Sequence, residues 1–267
     1  MFYRYQELEM HYKIYGHGTP ILMIHGLSCD MRLLVGCMKP IFKDIDGFQR
    51  IYIDLPGMGL SNAPLSFASC DKILEALLAF IEDNIKGDFI LAGESYGGYL
   101  VNGIISIMPE RVIKAIEICP MVVENHDERR KTSKNFTDFD EEFMATLSEQ
   151  NRKYFSNFAV IANKETYDRY ASDIIPGIKC FDKNFIYMLR KNYSFSFDLY
   201  ARLAELKFDK PILIFAGKQD TAVGYVDLFE GLVPLFPQAS FILLNKAGHN
   251  LQIEQKDVFE TLIKNWL

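Results

Sequence analysis

Four short runs of this chain are apolar at almost every position: residues 20–25 (PILMIH), 88–92 (DFILA), 112–119 (VIKAIEIC) and 211–216 (PILIFA). A strand with one wet face alternates polar and apolar residues. An unbroken apolar run bounded by turn residues instead suggests a strand buried on both faces. Residues 8–15, 49–54 and 240–244 also read as strands. Residues 71–85 read as a helix, because Ile73, Leu74, Leu77, Leu78, Ile81 and Ile85 recur at helical spacing. Asp71 supplies early negative charge at its N-terminus and Gly87 a stop. Further helices are read from the GESYGG stretch to Met108 and from Lys256 to Trp266. Strands separated by helices need crossover connections, so the pattern predicts an α/β fold with a mostly parallel sheet.

The rhythm breaks between Met121 and Glu205, where no buried parallel strand is legible and the sequence is charged, aromatic and mainly helical in character. Such a stretch is far longer than an ordinary loop. The reading is therefore a core made of residues 1–120 and 206–267, interrupted by an inserted domain at 121–205.

Composition narrows the class of protein. Of 267 residues, 49% are apolar and 24% charged, which excludes a disordered or fibrous chain. The net charge of −6 argues against nucleic-acid binding. The five Cys are odd in number and form no CxxC or Cys/His cluster, so reduced thiols are expected rather than disulfides or a metal site. The first residues carry charge and no apolar signal core, and no apolar run is long enough for a membrane span. The expectation is a cytoplasmic monomer or homodimer with a small-molecule substrate, no membrane or nucleic-acid partner, no cofactor and no metal.

Gly93-Glu94-Ser95-Tyr96-Gly97 fits G-x-S-x-G between a buried strand and a helix. That context makes Ser95 a candidate nucleophile on a sharp strand-to-helix turn, with Gly93, Gly97 and Gly98 giving the room it needs. The helix N-terminus behind Ser95 also offers partial positive charge to an oxyanion. A nucleophilic Ser needs a base, and the base an orienting acid. His11, His17 and His126 lie in a strand, a turn and the insertion. His249, in AGHN after the last strand, is placed to reach the carboxyl edge of the sheet. Asp220, in AGKQD after the run PILIFA, falls between Ser95 and His249 in chain order and at the same edge. Asp227 and Glu254 are weaker candidates for the acid.

These pieces, with His25-Gly26 and the loop DLPGMGLS at 54–61, resemble the α/β-hydrolase superfamily over nearly the whole chain. The resemblance implies an eight-stranded, mostly parallel sheet flanked by helices, a mainly helical cap at the insertion, and a Ser95–His249–Asp220 triad. It also implies an oxyanion hole from the backbone N–H groups of Leu27 and Tyr96, with His25 and Gly26 as structural loop residues. The Ser nucleophile departs from relatives that use Asp, and there is no HGGG loop after the early strand. Cys29 is expected to be a small buried residue, Asp54 a loop-ordering one, and the charged runs 127–131 and 138–142 solvated faces.

The activity implied is serine hydrolysis of a small carboxylic ester or thioester. Carbon–carbon hydrolysis of a meta-cleavage product, a proline-iminopeptidase-like role using Glu124, Glu141 or Glu142, and a non-catalytic binding role remain open. The insertion carries 15 of the chain's 36 aromatic residues. Most are expected in its own core and a few over Ser95, shaping an apolar pocket.

Overall fold

A computed structural model describes residues 1–267. The main sheet holds eight strands: β1 (Phe2–Tyr5), β2 (Leu8–Tyr15), β3 (Thr19–Ile24), β4 (Phe48–Ile53), β5 (Phe89–Glu94) and β6 (Val112–Ile118), with β9 (Ile212–Gly217) and β10 (Ala239–Leu244). The remaining pair, β7 (Asp138–Phe139) and β8 (Ile161–Ala162), is a separate two-stranded ladder. The main order is β1-β2-β4-β3-β5-β6-β9-β10. β1 and β2 pair antiparallel, β2 joins β4 antiparallel, and every other neighbour is parallel.

The apolar runs are buried on both faces because alternate side chains enter different layers. In β3, Leu22 and Ile24 join one core cluster while Ile21 and Met23 join the other. In β9, Ile212 and Ile214 separate from Leu213 and Phe215 in the same way. The first layer is completed by α2 (Cys70–Asn84) and α3 (Tyr96–Ile107), the second by α1 (Arg32–Met38) and α12 (Lys256–Trp266). α2 starts where Ser69 accepts a hydrogen bond from the Lys72 N–H, and it buries Ile73, Leu74, Leu77, Phe80 and Ile81.

Between β6 and β9 the chain adds no strand to the main sheet. It forms α4 (Glu141–Thr146), α5 (Glu149–Phe158), α6 (Lys164–Asp173), α7 (Ile175–Cys180), α8 (Lys183–Lys191) and α9 (Leu199–Leu206). Leu199 and Leu203 of α9 sink into the same cluster as α2 and α3. After β9 come α10 (Tyr225–Asp227) and α11 (Leu251–Glu254). No helix is long and apolar enough to cross a membrane.

Several elements go beyond the sequence reading. β1 is a four-residue edge strand, half exposed, and too short for periodicity to register. The ladder β7–β8 lies inside the segment where no buried strand was expected, and β7 is exposed.

Candidate active site

β5 ends in a turn that cannot be built from ordinary residues. Ser95 has φ 53° and ψ −113°, a left-handed conformation that costs a non-glycine residue about 1–3 kcal/mol. Its N–H donates to Ile118 O at 2.9 Å, and its carbonyl accepts from the N–H groups of Gly98 and Met121 at 3.0 and 2.9 Å. A Cβ on Gly97 would lie 2.0 Å from Ile24 O, and one on Gly93 2.5 Å from Gly97 O. The turn therefore closes only with glycine at both places, and it lifts Ser95 above the carboxyl edge of the sheet.

Three side chains from three loops meet there. Ser95 Oγ lies 3.0 Å from His249 Nε2, and His249 Nδ1 lies 2.8 Å from Asp220 Oδ2. With Nδ1–H donating to Asp220, Nε2 is free to accept from the serine hydroxyl. Asp220 is buried, and its Oδ1 accepts from the N–H groups of Ala222 and Val223 at 2.7 and 3.0 Å. Burial opposes charging of His249, yet the Asp220 carboxylate, through charge and hydrogen bond, and Glu94 outweigh it and raise the imidazole to about 9.

Glu94 is a residue the sequence reading passed over. G-x-S-x-G leaves its position open; the only signal is a carboxylate at the end of an otherwise apolar run. It is buried, with Oε1 3.6 Å from His249 Nε2. A Cβ on Gly26 would fall 2.1 Å from Glu94 Oε2, so glycine at 26 makes the room for this carboxylate. Burial raises Glu94 to about 7, against the pull of His249 and the Gly26 N–H.

The backbone N–H groups of Leu27 and Tyr96 bond no other backbone acceptor within the protein. His25 is fully buried and spends both ring nitrogens on backbone: Nδ1 donates to Gly26 O at 2.7 Å and Nε2 accepts from Leu55 N at 3.0 Å. Burial lowers its pKa, so it stays neutral in this role. Asp54 accepts from the N–H groups of Met31 and Leu60 at 2.8 and 3.0 Å, tying the Gly26–Asp30 loop to the DLPGMGLS loop.

Glu254 does not join the hydrogen-bonded line of Ser95, His249 and Asp220. It accepts from the N–H groups of Gly248 and Val160, both at 2.6 Å, and of Ile161 at 3.3 Å. It thereby anchors the loop carrying His249 to the segment between α5 and β8. Asp227 pairs with Arg130. The run 127–131 is accordingly more than a solvated face: Arg130 grips Asp227 and Glu230, and Arg129 donates to the carbonyls of Val123, Ala222 and Glu124. Charge density alone hides this, because Asp227, Glu230 and Ala222 lie about 90 to 100 residues away in sequence. Cys119, Asp220 and His249 place potential metal donors within 4.8 Å of one another. The last two are already bonded to each other, and burial holds the Cys119 thiol well above its ordinary pKa, so the set is poorly matched to a metal ion.

Above Ser95 opens a cavity of about 960 Å³. Phe158, Tyr170, Ile174, Ile178 and Phe181 give it an apolar wall, and the Phe158 ring lies 6.0 Å from the His249 ring. Cys29 lines it half-buried; burial, with Glu94 and Asp30, pushes its thiol well up, away from nucleophilic use. Of the carboxylates considered for an ammonium group, Glu124 lines the cavity, while Glu141 and Glu142 are exposed on α4 outside it.

A family model for the alpha/beta hydrolase fold matches residues 19–256. The chain belongs to the α/β-hydrolase family. Among solved α/β hydrolases, the alpha/beta superfamily hydrolase from Oenococcus oeni PSU-1 is 32% identical, with a TM-score of 0.89 over 100% of this chain and 97% of that one. The AB hydrolase superfamily protein YclE of Bacillus subtilis (strain 168) is 25% identical over 97% of this chain and 95% of its own length. A putative esterase/lipase of Haemophilus influenzae (strain ATCC 51907 / DSM 11121 / KW20 / Rd) is also 25% identical, over 94% of this chain and 84% of its own.

Proposed function

We propose that this α/β hydrolase is a serine esterase that cleaves carboxylic esters or thioesters through an acyl-enzyme. The observation that carries the reading is the hydrogen-bonded line Ser95–His249–Asp220 on the strained turn. The likeness to the Haemophilus esterase/lipase supports the ester class.

In this reading His249 Nε2 takes the Ser95 proton as Oγ attacks the carbonyl carbon. Asp220 holds the tautomer and stabilises the imidazolium. The N–H groups of Leu27 and Tyr96 receive the developing oxyanion, where one lost donor costs about 3–4 kcal/mol. As the tetrahedral adduct collapses, the leaving alcohol or thiol takes the proton from His249. Water, deprotonated by the same His249, then cleaves the Ser95 acyl ester and regenerates the hydroxyl. Residues 121–205 act as a cap that shields this chemistry and lines the substrate cavity, whose size suits more than the smallest esters.

The test is Ser95→Ala against 4-nitrophenyl butyrate, with circular dichroism confirming the fold. The expected loss in kcat is on the order of 10⁵–10⁶. A fluorophosphonate probe is expected to label the wild type at Ser95 and not the variant. Unlabelled wild type, or an alanine variant with full turnover, overturns the assignment in favour of a non-catalytic binding role or a different nucleophile.

A further inference from the structure

The cavity over Ser95 is charged against the trend of the chain. The chain carries a net −6, yet Arg129, Arg190 and Lys191 line this cavity against only two carboxylates, Glu94 and Glu124. Glu94 sits 3.6 Å from His249, and burial raises its pKa. Glu124 is engaged by the Tyr99 hydroxyl at 2.7 Å.

None of the three cations is neutralised by an ion pair. Arg129 is half-buried and donates to three backbone carbonyls, leaving two of its five N–H donors unused. Burial lowers its pKa against the pull of Asp220, Glu124 and Asp227, none of which comes within ion-pairing distance. Arg190 is exposed and has no carboxylate at ion-pairing distance, and Lys191 Nζ lies 4.3 Å over the Tyr187 ring. Arg190 and Lys191 close α8, where the helix dipole favours cations. That accounts for positive charge at a helix end, but not for its convergence with Arg129 on one cavity. The other wall is apolar, built by Phe158, Tyr170, Ile174, Ile178 and Phe181.

We propose that the cavity selects amphipathic esters that also bear a free carboxylate, with the apolar part against the α5–α7 wall and the carboxylate held by Arg129, Arg190 and Lys191. The proposal rests on the esterase reading above. Guanidinium groups suit a carboxylate because their parallel N–H donors match its two oxygens.

The test compares mono-4-nitrophenyl adipate with 4-nitrophenyl hexanoate, which differ only by a carboxylate in place of a terminal methyl. The wild type is expected to favour the adipate monoester at least ten-fold in kcat/KM, mainly through KM. Arg190→Gln/Lys191→Gln, on exposed positions, is expected to lower that preference about ten-fold, and salt at about 0.5 M to weaken it as well. A wild type that prefers the hexanoate, with an unchanged ratio in the double variant, overturns the proposal while leaving the esterase standing. A calorimetric arm titrates adipate into Ser95→Ala. Binding there that is lost on adding Arg190→Gln/Lys191→Gln supports the subsite even if neither ester is cleaved, an outcome that would sink only the esterase reading. No adipate binding at millimolar concentration, with hexanoate turned over, overturns the subsite alone.

Discussion

Glu94 Oε1 lies 3.6 Å from His249 Nε2, the nitrogen that also receives the Ser95 hydroxyl. A second carboxylate thus faces the side of the imidazole opposite Asp220. Burial alone would keep His249 neutral, but the two acids reverse that and raise it to about 9. In the proposed esterase mechanism only neutral His249 can take the serine proton, so activity is expected to rise with pH through an inflection well above the ordinary histidine value of about 6.5. Glu94→Gln removes one negative neighbour while keeping the shape. The inflection in kcat/KM for 4-nitrophenyl butyrate is expected to move down by about one unit. A pH profile that does not move would show that Glu94 leaves the base untouched.

The His249 loop is held from below by a buried acid that bonds neither Ser95 nor His249. Glu254 satisfies the N–H groups of Gly248, Val160 and Ile161. Glu254→Ala leaves two buried donors and one partly buried donor without this partner, at about 1–3 kcal/mol for each buried one that finds no water. The expected result is a lower melting temperature together with a fall in kcat larger than any change in KM, because the base loses its position rather than the substrate its pocket. Glu254→Gln keeps an acceptor and is expected to recover part of both. Equal effects of the two substitutions would point to charge rather than to the hydrogen bonds.

The turn itself offers a steric test. A methyl at position 97 would sit 2.0 Å from Ile24 O, which belongs to the backbone of the neighbouring strand and cannot move aside cheaply. Gly97→Ala is therefore expected to lower soluble yield and melting temperature and to abolish ester turnover. Gly87→Ala is a useful contrast, since no atom stands within 4 Å of its added Cβ. Its positive φ of 70° limits the damage to backbone strain of about 1 kcal/mol.

Much of the architecture was legible because burial on both faces leaves an unbroken apolar run. β2 and α12 fall where the sequence places them, and the helix read at 71–85 is α2, one residue earlier. The edge strand β1 was not legible, since four residues alternating on a half-wet hairpin resemble any polar stretch. Nor was α1, whose interior Gly36 argues against a helix. That glycine answers to a tertiary contact: a Cβ there would lie 2.1 Å from the Asp173 carboxylate on α6. The side chains that meet around Ser95 could be named from motif and chain order. Glu94 and Arg129 could not, because their significance comes from His249 and from a cavity assembled by residues far away in sequence. The aromatic residues of the 121–205 segment show the same limit. Phe155 and Phe185 vanish into core while Phe158 and Phe181 face the cavity, and spacing does not separate the two groups.

One buried acid lies outside the active site and sets a stability prediction. Glu117 on β6 is fully buried; its Oε2 receives only a 3.4 Å hydrogen bond from Asn102, and Oε1 has no partner. Burial raises it to about 8, with the Asn102 hydrogen bond pulling weakly the other way. Between the unfolded value near 4.5 and about 8, the native state binds more protons at this site than the unfolded chain does. Stability from this group therefore falls as pH rises across that window. Glu117→Gln removes the ionisation and keeps the volume. The variant is expected to be more stable than wild type above pH 8, by roughly 2–4 kcal/mol, and close to it at pH 5. Urea unfolding at the two pH values measures the difference. A gap equal at both would mean that the effect comes from packing or from the Asn102 bond, and not from the proton.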